Sequence, residues 1–217
     1  MTTKVLNLYA GIGGNRKLWE DVDVTAVEWD SDKAEVYRDH FPEDTVIEAD
    51  AHEYLKNHYT EFDFIWASPP CPTHSRLRYT AHQENDPVYP DMKLWQEILF
   101  LENTFSGDYA VENVEPYYEN LIDGVRRGRH TFWSNFYIPE LATELKNGGT
   151  TWLTTDQDTG KGRKASLELA DRYGFELSAY DFTLEFLRKI VNNCVHPKLG
   201  KHVFEAATKN RQTKLFE

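Results

Sequence analysis

Cysteine and long apolar runs are both scarce in this sequence. Cys71 and Cys194 are the only cysteines among its 217 residues. Two cysteines cannot build a disulfide framework, which is typical of proteins from a reducing compartment. Because they also lack the paired Cys and His spacing of a structural zinc site, we predict no metal site.

The sequence contains no signal for a membrane. No apolar stretch approaches the roughly 20 residues that a membrane-spanning helix needs. The segment from Met1 to Lys4 lacks the basic-then-apolar pattern of a signal peptide. We therefore expect a cytoplasmic protein with no membrane partner, and the compact chain favours a bacterial or phage-infected cell as its setting.

Positive charge is also in short supply. The chain has 24 Lys and Arg against 36 Asp and Glu, so its formal net charge is -12. This acidity argues against a protein held on DNA by general electrostatic attraction, since phosphate contacts need cations. Basic side chains do cluster locally at 126–130 and at 161–164, and a local basic surface can still hold a nucleic acid.

Short apolar segments alternate with helical patterns along the chain. Strands are predicted at 4–9, 22–27, 45–48, 62–67, 109–114 and 131–137. Helices are predicted at 15–20, 32–40, 52–58, 92–105, 165–173, 181–191 and 200–207. This alternation predicts an α/β fold with a central, mostly parallel sheet and helices on both faces. We expect a single domain over residues 1–207, followed by a flexible polar tail at 208–217.

Polar and glycine residues follow the predicted strands, at the sheet edge where ligands bind in open α/β folds. The turn from Gly11 to Gly14 would let the backbone approach a ligand closely. Glu28 follows the second strand, where a carboxylate can accept hydrogen bonds from both ribose hydroxyls. Trp29 suits stacking on adenine, and Asp50 suits a hydrogen bond from the adenine amino group. The glycine spacing differs from the dinucleotide fingerprint, which favours a nucleoside without a pyrophosphate.

These motifs together resemble the DNA (cytosine-5) methyltransferase family. Segment 7–14, Asn-Leu-Tyr-Ala-Gly-Ile-Gly-Gly, is similar to the family's first motif. Glu28-Trp29-Asp30, Asp50, Pro69-Pro70-Cys71 and Glu112-Asn113-Val114 follow in the family's order. Arg127-x-Arg129 resembles a later arginine motif, and segment 192–197 resembles the final one.

The resemblance covers nearly the whole chain and implies a Rossmann-like fold that binds S-adenosyl-L-methionine or a close analogue. The cofactor-binding residues that it implies are Tyr9, Gly11, Ile12, Gly14, Glu28, Trp29, Asp50, Pro70, Asn193 and Val195.

The resemblance also implies covalent catalysis on a cytosine flipped out of DNA. Cys71 would attack C6 as the nucleophile, so that C5 can accept the methyl group. Glu112 would form hydrogen bonds with N3 and with the exocyclic amine, and this arrangement requires a proton shared between Glu112 and the ring. Arg129 would bond to the O2 oxygen, and Arg127 would position Glu112 or Cys71.

The chain departs from the family in ways that leave alternatives open. Asn7 replaces a commonly acidic residue, and Asn192 replaces a usual glycine. Only about 136–167 is available for target recognition. We therefore expect the protein to recognise a short DNA sequence, to have relaxed specificity, or to obtain its specificity from a partner. A modified sulfonium donor could add a larger group, and free pyrimidine nucleotides could be substrates. Two other hypotheses remain open. The protein could be an amino-group methyltransferase that acts on cytosine N4 or adenine N6, or it could be a non-catalytic DNA-binding protein.

Two further segments suggest partners. Aromatic and basic residues in the predicted loops suit stacking on a base and gripping phosphate, and loop 75–90 is predicted to be a lid. These residues are Tyr79, Tyr89, Tyr117, Tyr118, Arg76 and Arg78. The C-terminal segment resembles the short peptide with which bacterial replication proteins bind the sliding clamp, through Gln212, Leu215 and Phe216.

Overall fold

A computed structural model describes residues 2–76, 88–141 and 160–214 of the chain. Within these ranges, seven strands form one sheet in the order β3-β2-β1-β4-β5-β7-β6. The strands are β1 (Thr3–Leu8), β2 (Val22–Val27), β3 (Thr45–Ile47), β4 (Phe64–Ala67), β5 (Asp108–Val114), β6 (Val125–Arg127) and β7 (His130–Ser134). Strands β1 to β5 pair in parallel, whereas β7 is antiparallel to both β5 and β6. The sheet is therefore mostly parallel, as predicted.

Helices cover both faces of this sheet. They are α1 (Ser31–His40), α2 (Ala51–His58), α3 (Lys93–Thr104), α4 (Gly160–Arg172), α5 (Leu184–Asn192) and α6 (Pro197–Lys214), with a 3-10 turn at Tyr59–Glu61. None of the described helices is both long and apolar enough to cross a bilayer.

The alternation of side chains along β1 divides the core into two layers. Val5 belongs to an apolar cluster that includes Phe204 of α6, whereas Leu6 belongs to one that includes Leu55 of α2 and Ile98 of α3. Successive side chains of a strand point to opposite faces, so one short apolar strand supports both layers. A third cluster joins the region of α1 to α4 and α5.

Strands β1 to β5 and helices α1 to α3 lie within two residues of their predicted positions. The helix predicted at 15–20 is wrong, because the chain forms turns there. Asn15 Nδ2 instead donates to Asn7 Oδ1 at 2.7 Å, and Trp19 Nε1 donates to the Gly200 carbonyl at 3.1 Å. These buried contacts tie the segment to β1 and α6 in place of a helical ladder.

The C-terminal segment is more ordered than its polar composition indicates. Helix α6 continues to Lys214, so the flexible tail expected at 208–217 is helical up to that residue. Asn210 Nδ2 donates to Asp108 Oδ1 at 2.9 Å, and Arg211 Nε lies 3.4 Å from Asp108 Oδ2. Because Asp108 is buried at the start of β5, these contacts anchor the last turns of α6 to the sheet.

Candidate active site

The carboxyl ends of the parallel strands bring the predicted site residues to one edge of the sheet. Backbone hydrogen bonds hold these strand ends together beyond the regular ladders. The Ala10 amide donates to the Val27 carbonyl at 3.0 Å, and the Ser68 amide donates to the Leu8 carbonyl at 3.3 Å. The segments after β1, β2 and β4 therefore form one continuous surface, as expected for a ligand-binding edge.

The glycine turn after β1 is closed by the last motif of the chain. Gly13 has a φ of 85°, a left-handed conformation that side chains rarely adopt. A Cβ atom on Gly14 would overlap Cys194 Sγ and the Val195 carbonyl oxygen. Burial raises the pKa of the Cys194 thiol to about 12, so this thiol is protonated at neutral pH. The final motif thus returns to the first motif, which supports Gly14 and Val195 as parts of one ligand site.

Glu28 is held in place with acceptor positions to spare. The Gly11 amide donates to Oε2 at 2.8 Å, and the Asp30 amide donates to Oε1 at 3.0 Å. A carboxylate has about four acceptor positions, so Oε2 keeps one for a ribose hydroxyl, whereas a hydroxyl at Oε1 would share that oxygen with Lys33. The Lys33 ammonium, 3.4 Å from Oε1, shares this region. This buried carboxylate fits the ribose-binding role predicted for Glu28.

Trp29 and Asp50 flank this carboxylate on neighbouring strand ends. Trp29 is 75% exposed, so its ring face is accessible to a stacking ligand. Asp50 has a role that the sequence analysis missed, because its Oδ1 caps α2 by accepting from the amides of His52 and Glu53. Its Oδ2 lies 3.3 Å from Lys93 Nζ. An adenine amino group would therefore meet an Asp50 oxygen that Lys93 already contacts.

Tyr9 takes part in a buried polar cluster that the sequence analysis did not predict. Its hydroxyl contacts Glu97 Oε1, and His52 Nδ1 lies 2.8 Å from the same oxygen. Burial and the Glu97 charge hold the pKa of Tyr9 far above its ordinary value. Glu97 lies among the buried apolar side chains of α3, such as Leu94 and Ile98. The cluster fixes the orientation of Tyr9 at the end of β1.

The remaining predicted cofactor residues differ in exposure. Ile12 is buried beneath the glycine turn, whereas Pro70 is exposed after β4. Asn193 is exposed at the end of α5.

We expect Glu28→Gln to weaken S-adenosylmethionine binding by about tenfold or more, because charge-assisted hydrogen bonds to the ribose become neutral ones. Isothermal titration calorimetry measures the effect directly. Glu205→Gln, at an exposed position on α6, serves as the charge-matched control and should bind normally. Equal affinity of Glu28→Gln and the wild type would contradict this role.

Cys71 lies in the segment after β4, partly buried. Burial and the Glu112 charge raise the pKa of its thiol, and Arg129 opposes this change. The amides of His74 and Ser75 donate to the Cys71 carbonyl at 2.9 and 3.0 Å, forming a tight turn around the residue. The thiol is therefore neutral at pH 7 in the free protein and lies within the electrostatic reach of both predicted partners.

Glu112 is almost completely buried near the end of β5. Burial by itself would raise its pKa, but His130, a hydrogen bond from Ser68 and the Arg129 charge outweigh burial and lower the pKa. Ser68 Oγ is oriented in turn by Trp66 Nε1, which donates to it at 2.8 Å. Glu112 is consequently held as a carboxylate by donors from two neighbouring strands.

The two predicted arginines flank a hairpin turn between β6 and β7. Gly128 has a φ of 62°, as the tight turns that join twisted strands require, and the paired residues on either side are Arg127 and His130. Strand β6 was not predicted, although the glycine after Val125-Arg126-Arg127 is a hairpin signal. The turn exposes Arg129 at the same edge as Cys71.

Arg127 and Arg129 have different partners. Arg127 Nε donates to the Pro139 carbonyl at 2.7 Å, and its guanidinium also contacts the Ile138 carbonyl. These bonds make Arg127 a support for the chain after β7, in place of the predicted contact with Glu112 or Cys71. Arg129 Nη2 donates to the Asn192 carbonyl at 2.7 Å and so connects the turn between β6 and β7 to the final motif.

Some of the residues predicted to contact DNA already bind other residues of the protein, whereas Tyr89 is exposed to solvent. Arg76 Nη2 donates to Glu115 Oε1 at 2.9 Å, so this arginine is paired. Tyr118 accepts from Trp95 Nε1 at 3.3 Å and lies 2.5 Å from His74 Nδ1, which places it in a packed network. Tyr89 is 95% exposed.

Arg78, Tyr79 and most of the predicted lid lie outside the described residues, as do Leu215, Phe216 and the side chain of Gln212. Most of the predicted recognition region, 142–159, also lies outside them.

Solved structures with similar folds include several methyltransferases. The Entamoeba histolytica methyltransferase EhMeth aligns over 97% of this chain and 99% of its own, with a TM-score of 0.62 and 11% identity. A methyltransferase from Agrobacterium tumefaciens, described as SAM dependent, aligns over 54% of this chain and 40% of its own, with a TM-score of 0.38 and 14% identity. A mutant of Spodoptera frugiperda DNMT2 aligns over 52% and 36%, with a TM-score of 0.37 and 26% identity. The chain thus spans less than half of the last two proteins, and no curated protein matches it.

The fold is an α/β fold similar to that of the methyltransferase EhMeth, with which this chain aligns over nearly the whole length of both proteins. The family model described as C-5 cytosine-specific DNA methylase matches residues 3–115, which is more than half of the chain. The protein belongs to this family. The matched region contains the glycine turn, Glu28, Cys71 and Glu112.

Proposed function

We propose that this protein transfers a methyl group from S-adenosylmethionine to C5 of cytosine in DNA through a covalent adduct. The observation that carries the proposal is the convergence of Cys71, Glu112 and Arg129 at the ligand-binding edge of the sheet. The charges of Glu112 and Arg129 both act on the Cys71 thiol. Their combination matches the needs of C5 chemistry, since C5 of cytosine is not nucleophilic until C6 is attacked.

The residues around the glycine turn would hold the cofactor, which supplies an electrophilic methyl group when bound. Glu28 would accept bonds from its ribose, and Trp29 would stack on its adenine. Gly14 and Val195 would close the site from the side of the final motif, where their backbones meet. These residues would hold the cofactor at the ends of β1 and β2 and would leave the ends of β5 and β7 for the base.

The first step would form a bond between Cys71 Sγ and C6 of the flipped cytosine. The π electrons of the C5–C6 double bond form a C4–C5 double bond, and those of the C4–N3 double bond move onto N3, which becomes more basic. The thiol proton lost from Cys71 accounts for the proton that N3 gains and shares with the Glu112 carboxylate. This assignment agrees with the opposite pKa directions, raised for the Cys71 thiol and lowered for Glu112. Arg129 would donate to O2 and stabilise the charge that develops on the ring.

The second half of the reaction would restore the aromatic ring. After C5 has gained the methyl group, a base from solvent removes the C5 proton, the C5–H electron pair forms the C5–C6 double bond again, and the C–S electron pair returns to sulfur. Cys71 leaves as a thiolate and regains a proton from N3 through the Glu112 side. The cycle thus returns both residues to their starting protonation states.

Binding of DNA by an acidic protein calls for a local or external source of attraction. Exposed Arg129 and Arg126 lie at the catalytic edge, although Arg126 Nη1 is 3.2 Å from Glu115 Oε2. A sliding clamp bound through Gln212, Leu215 and Phe216 would raise the effective DNA concentration, and it remains our candidate partner.

Nucleoside mass spectrometry tests the function directly. We expect that DNA incubated with the protein and S-adenosylmethionine carrying a deuterated methyl group will yield 5-methylcytosine with that label. N4-methylcytosine or N6-methyladenine as the product would replace this proposal with amino-group chemistry. A product that forms only in cell lysate and is heavier than 5-methylcytosine would indicate a modified donor.

A further inference from the structure

Tyr9, the residue directly after β1, has an unusual backbone conformation. Its φ of 56° lies in the left-handed region, which a residue with a bulky side chain rarely adopts. Such a conformation persists only where the surrounding structure holds it. Tyr9 lies directly before Ala10 and the glycine turn, so its backbone sets the direction in which the chain enters that turn.

The side chain of Tyr9 is anchored on α3. Its hydroxyl contacts Glu97 Oε1, and Nδ1 of His52, from α2, lies 2.8 Å from the same oxygen. Burial and the Glu97 charge raise the pKa of Tyr9 far above its ordinary value, so the phenol keeps its proton and donates it to the carboxylate. The hydrogen bond to Glu97 also raises the pKa of His52. The cluster thus joins the end of β1 to two helices.

Glu97 occupies a position where a carboxylate is costly. Its side chain is buried between Leu94 and Ile98, and within the described part of the chain its Oε2 atom has no hydrogen-bond partner. Burying a charged group is unfavourable unless the group is paired or hydrogen-bonded, and an apolar side chain would fill the same space without that cost. The role of the carboxylate is therefore to bind the two donors that meet at Oε1, Tyr9 and His52.

We propose that Glu97, oriented by His52, is a positioning residue that holds Tyr9 in its left-handed conformation and thereby keeps the glycine turn in the form that binds the cofactor. This inference rests on the proposed function, in which that cofactor is S-adenosylmethionine. Glu97 acts through Tyr9 and need not touch the cofactor itself.

The backbone after Tyr9 carries the effect to the carboxylate that is proposed to bind ribose. The Ala10 amide donates to the Val27 carbonyl at 3.0 Å, and the Gly11 amide donates to Glu28 Oε2 at 2.8 Å. Both bonds require the chain to leave β1 in the direction that Tyr9 sets. If Tyr9 relaxes to an ordinary conformation, the turn must form again before the cofactor binds. The apparent affinity then falls in proportion to the fraction of molecules in which the turn is already formed.

Calorimetry with S-adenosylmethionine tests the role of Glu97. Glu97→Leu removes the acceptor of both donors, and we expect it to weaken binding by roughly tenfold. Glu97→Gln keeps a carbonyl acceptor and should bind within about threefold of the wild type. Glu102→Leu makes the same change as Glu97→Leu at an exposed position on α3, and it should bind like the wild type.

Substitutions at residue 9 test whether the effect passes through the backbone. Tyr9→Gly and Tyr9→Ala both remove the ring and the hydroxyl, but only glycine adopts a positive φ freely. We expect Tyr9→Gly to bind the cofactor roughly tenfold more tightly than Tyr9→Ala, whereas a role in packing alone would favour alanine. Adding Glu97→Leu to Tyr9→Gly should change the affinity little, because the conformation no longer needs an anchor.

The inference is overturned if Glu97→Leu binds the cofactor as tightly as the wild type, or if Tyr9→Gly binds no more tightly than Tyr9→Ala. It is also overturned if Glu97→Leu weakens binding equally in the wild type and in Tyr9→Gly. The comparison of the Glu97 variants with Glu102→Leu stands even if the Tyr9 variants do not fold. A wild-type protein that binds no S-adenosylmethionine, or that makes no 5-methylcytosine, would refute the proposed function instead, so the two failures are distinguishable.

Discussion

Replacing Cys71 with alanine is expected to reduce methyl transfer to cytosine by at least about 10³-fold, because C5 then has no route to activation. The remaining site would still bind cofactor and base, but neither Glu112 nor Arg129 can attack C6. Cys71→Ser is the matched variant, since it keeps the size of the side chain and replaces the thiol with a much less acidic hydroxyl. We expect it to be inactive as well.

Covalent trapping supplies the direct measurement for this prediction. In DNA containing 5-fluorocytosine, the C5 fluorine cannot leave as a proton, so the bond between Cys71 and C6 should persist. The wild type should form a complex that survives denaturing gel electrophoresis, and both Cys71 variants should form none. Calorimetry with S-adenosylmethionine provides the control, because neither variant changes the residues proposed to hold the cofactor. If Cys71→Ala retains methyl transfer, the protein uses amino-group chemistry.

The sequence motifs that follow the predicted strands lie at one edge of the sheet, as expected, because the carboxyl ends of parallel strands lie at the same edge. Glu28 illustrates this, since it follows β2 and meets the Gly11 amide of the neighbouring turn. Cys71 follows β4 and Glu112 lies near the end of β5, and these two strands are adjacent and parallel, so both residues lie at the edge where polar residues were expected. Short buried strands and their helices could also be located, since their apolar periodicity is strong.

Contacts between side chains could not be predicted, because they depend on rotamers and turn geometry rather than on periodicity. Arg127 lies two residues from Arg129, yet the hairpin sends it to the carbonyls of Ile138 and Pro139. In the sequence, His130 appeared only as part of a basic cluster, and its contacts with Arg129 and Glu112 depend on the hairpin that the unpredicted strand β6 forms with β7. The turns at 15–20 likewise follow from buried contacts of Asn15 with a distant strand.

Substituting Glu112 with glutamine should produce opposite effects on the thiol and on the reaction. The Glu112 charge raises the pKa of Cys71, second only to burial, so a neutral amide should let that pKa fall. Cys71 should therefore react faster with iodoacetamide at a given pH below its pKa, because the thiolate is the reactive form. Methyl transfer should nevertheless fall by roughly 10²- to 10⁴-fold, the usual contribution of a positioned proton-transfer group.

Alkylation followed by peptide mass spectrometry separates these effects, because it measures Cys71 and the buried Cys194 in the same sample. The expected result is a shift of the Cys71 alkylation profile to lower pH in Glu112→Gln. Glu115→Gln is the matched control, since Glu115 follows the end of β5 and pairs with Arg76 and Arg126; it should leave that profile unchanged. An unchanged profile in Glu112→Gln would mean that the carboxylate does not act on the thiol. Retained methyl transfer would mean that the ring needs no acid partner, because a more nucleophilic sulfur alone would then be sufficient to activate C5.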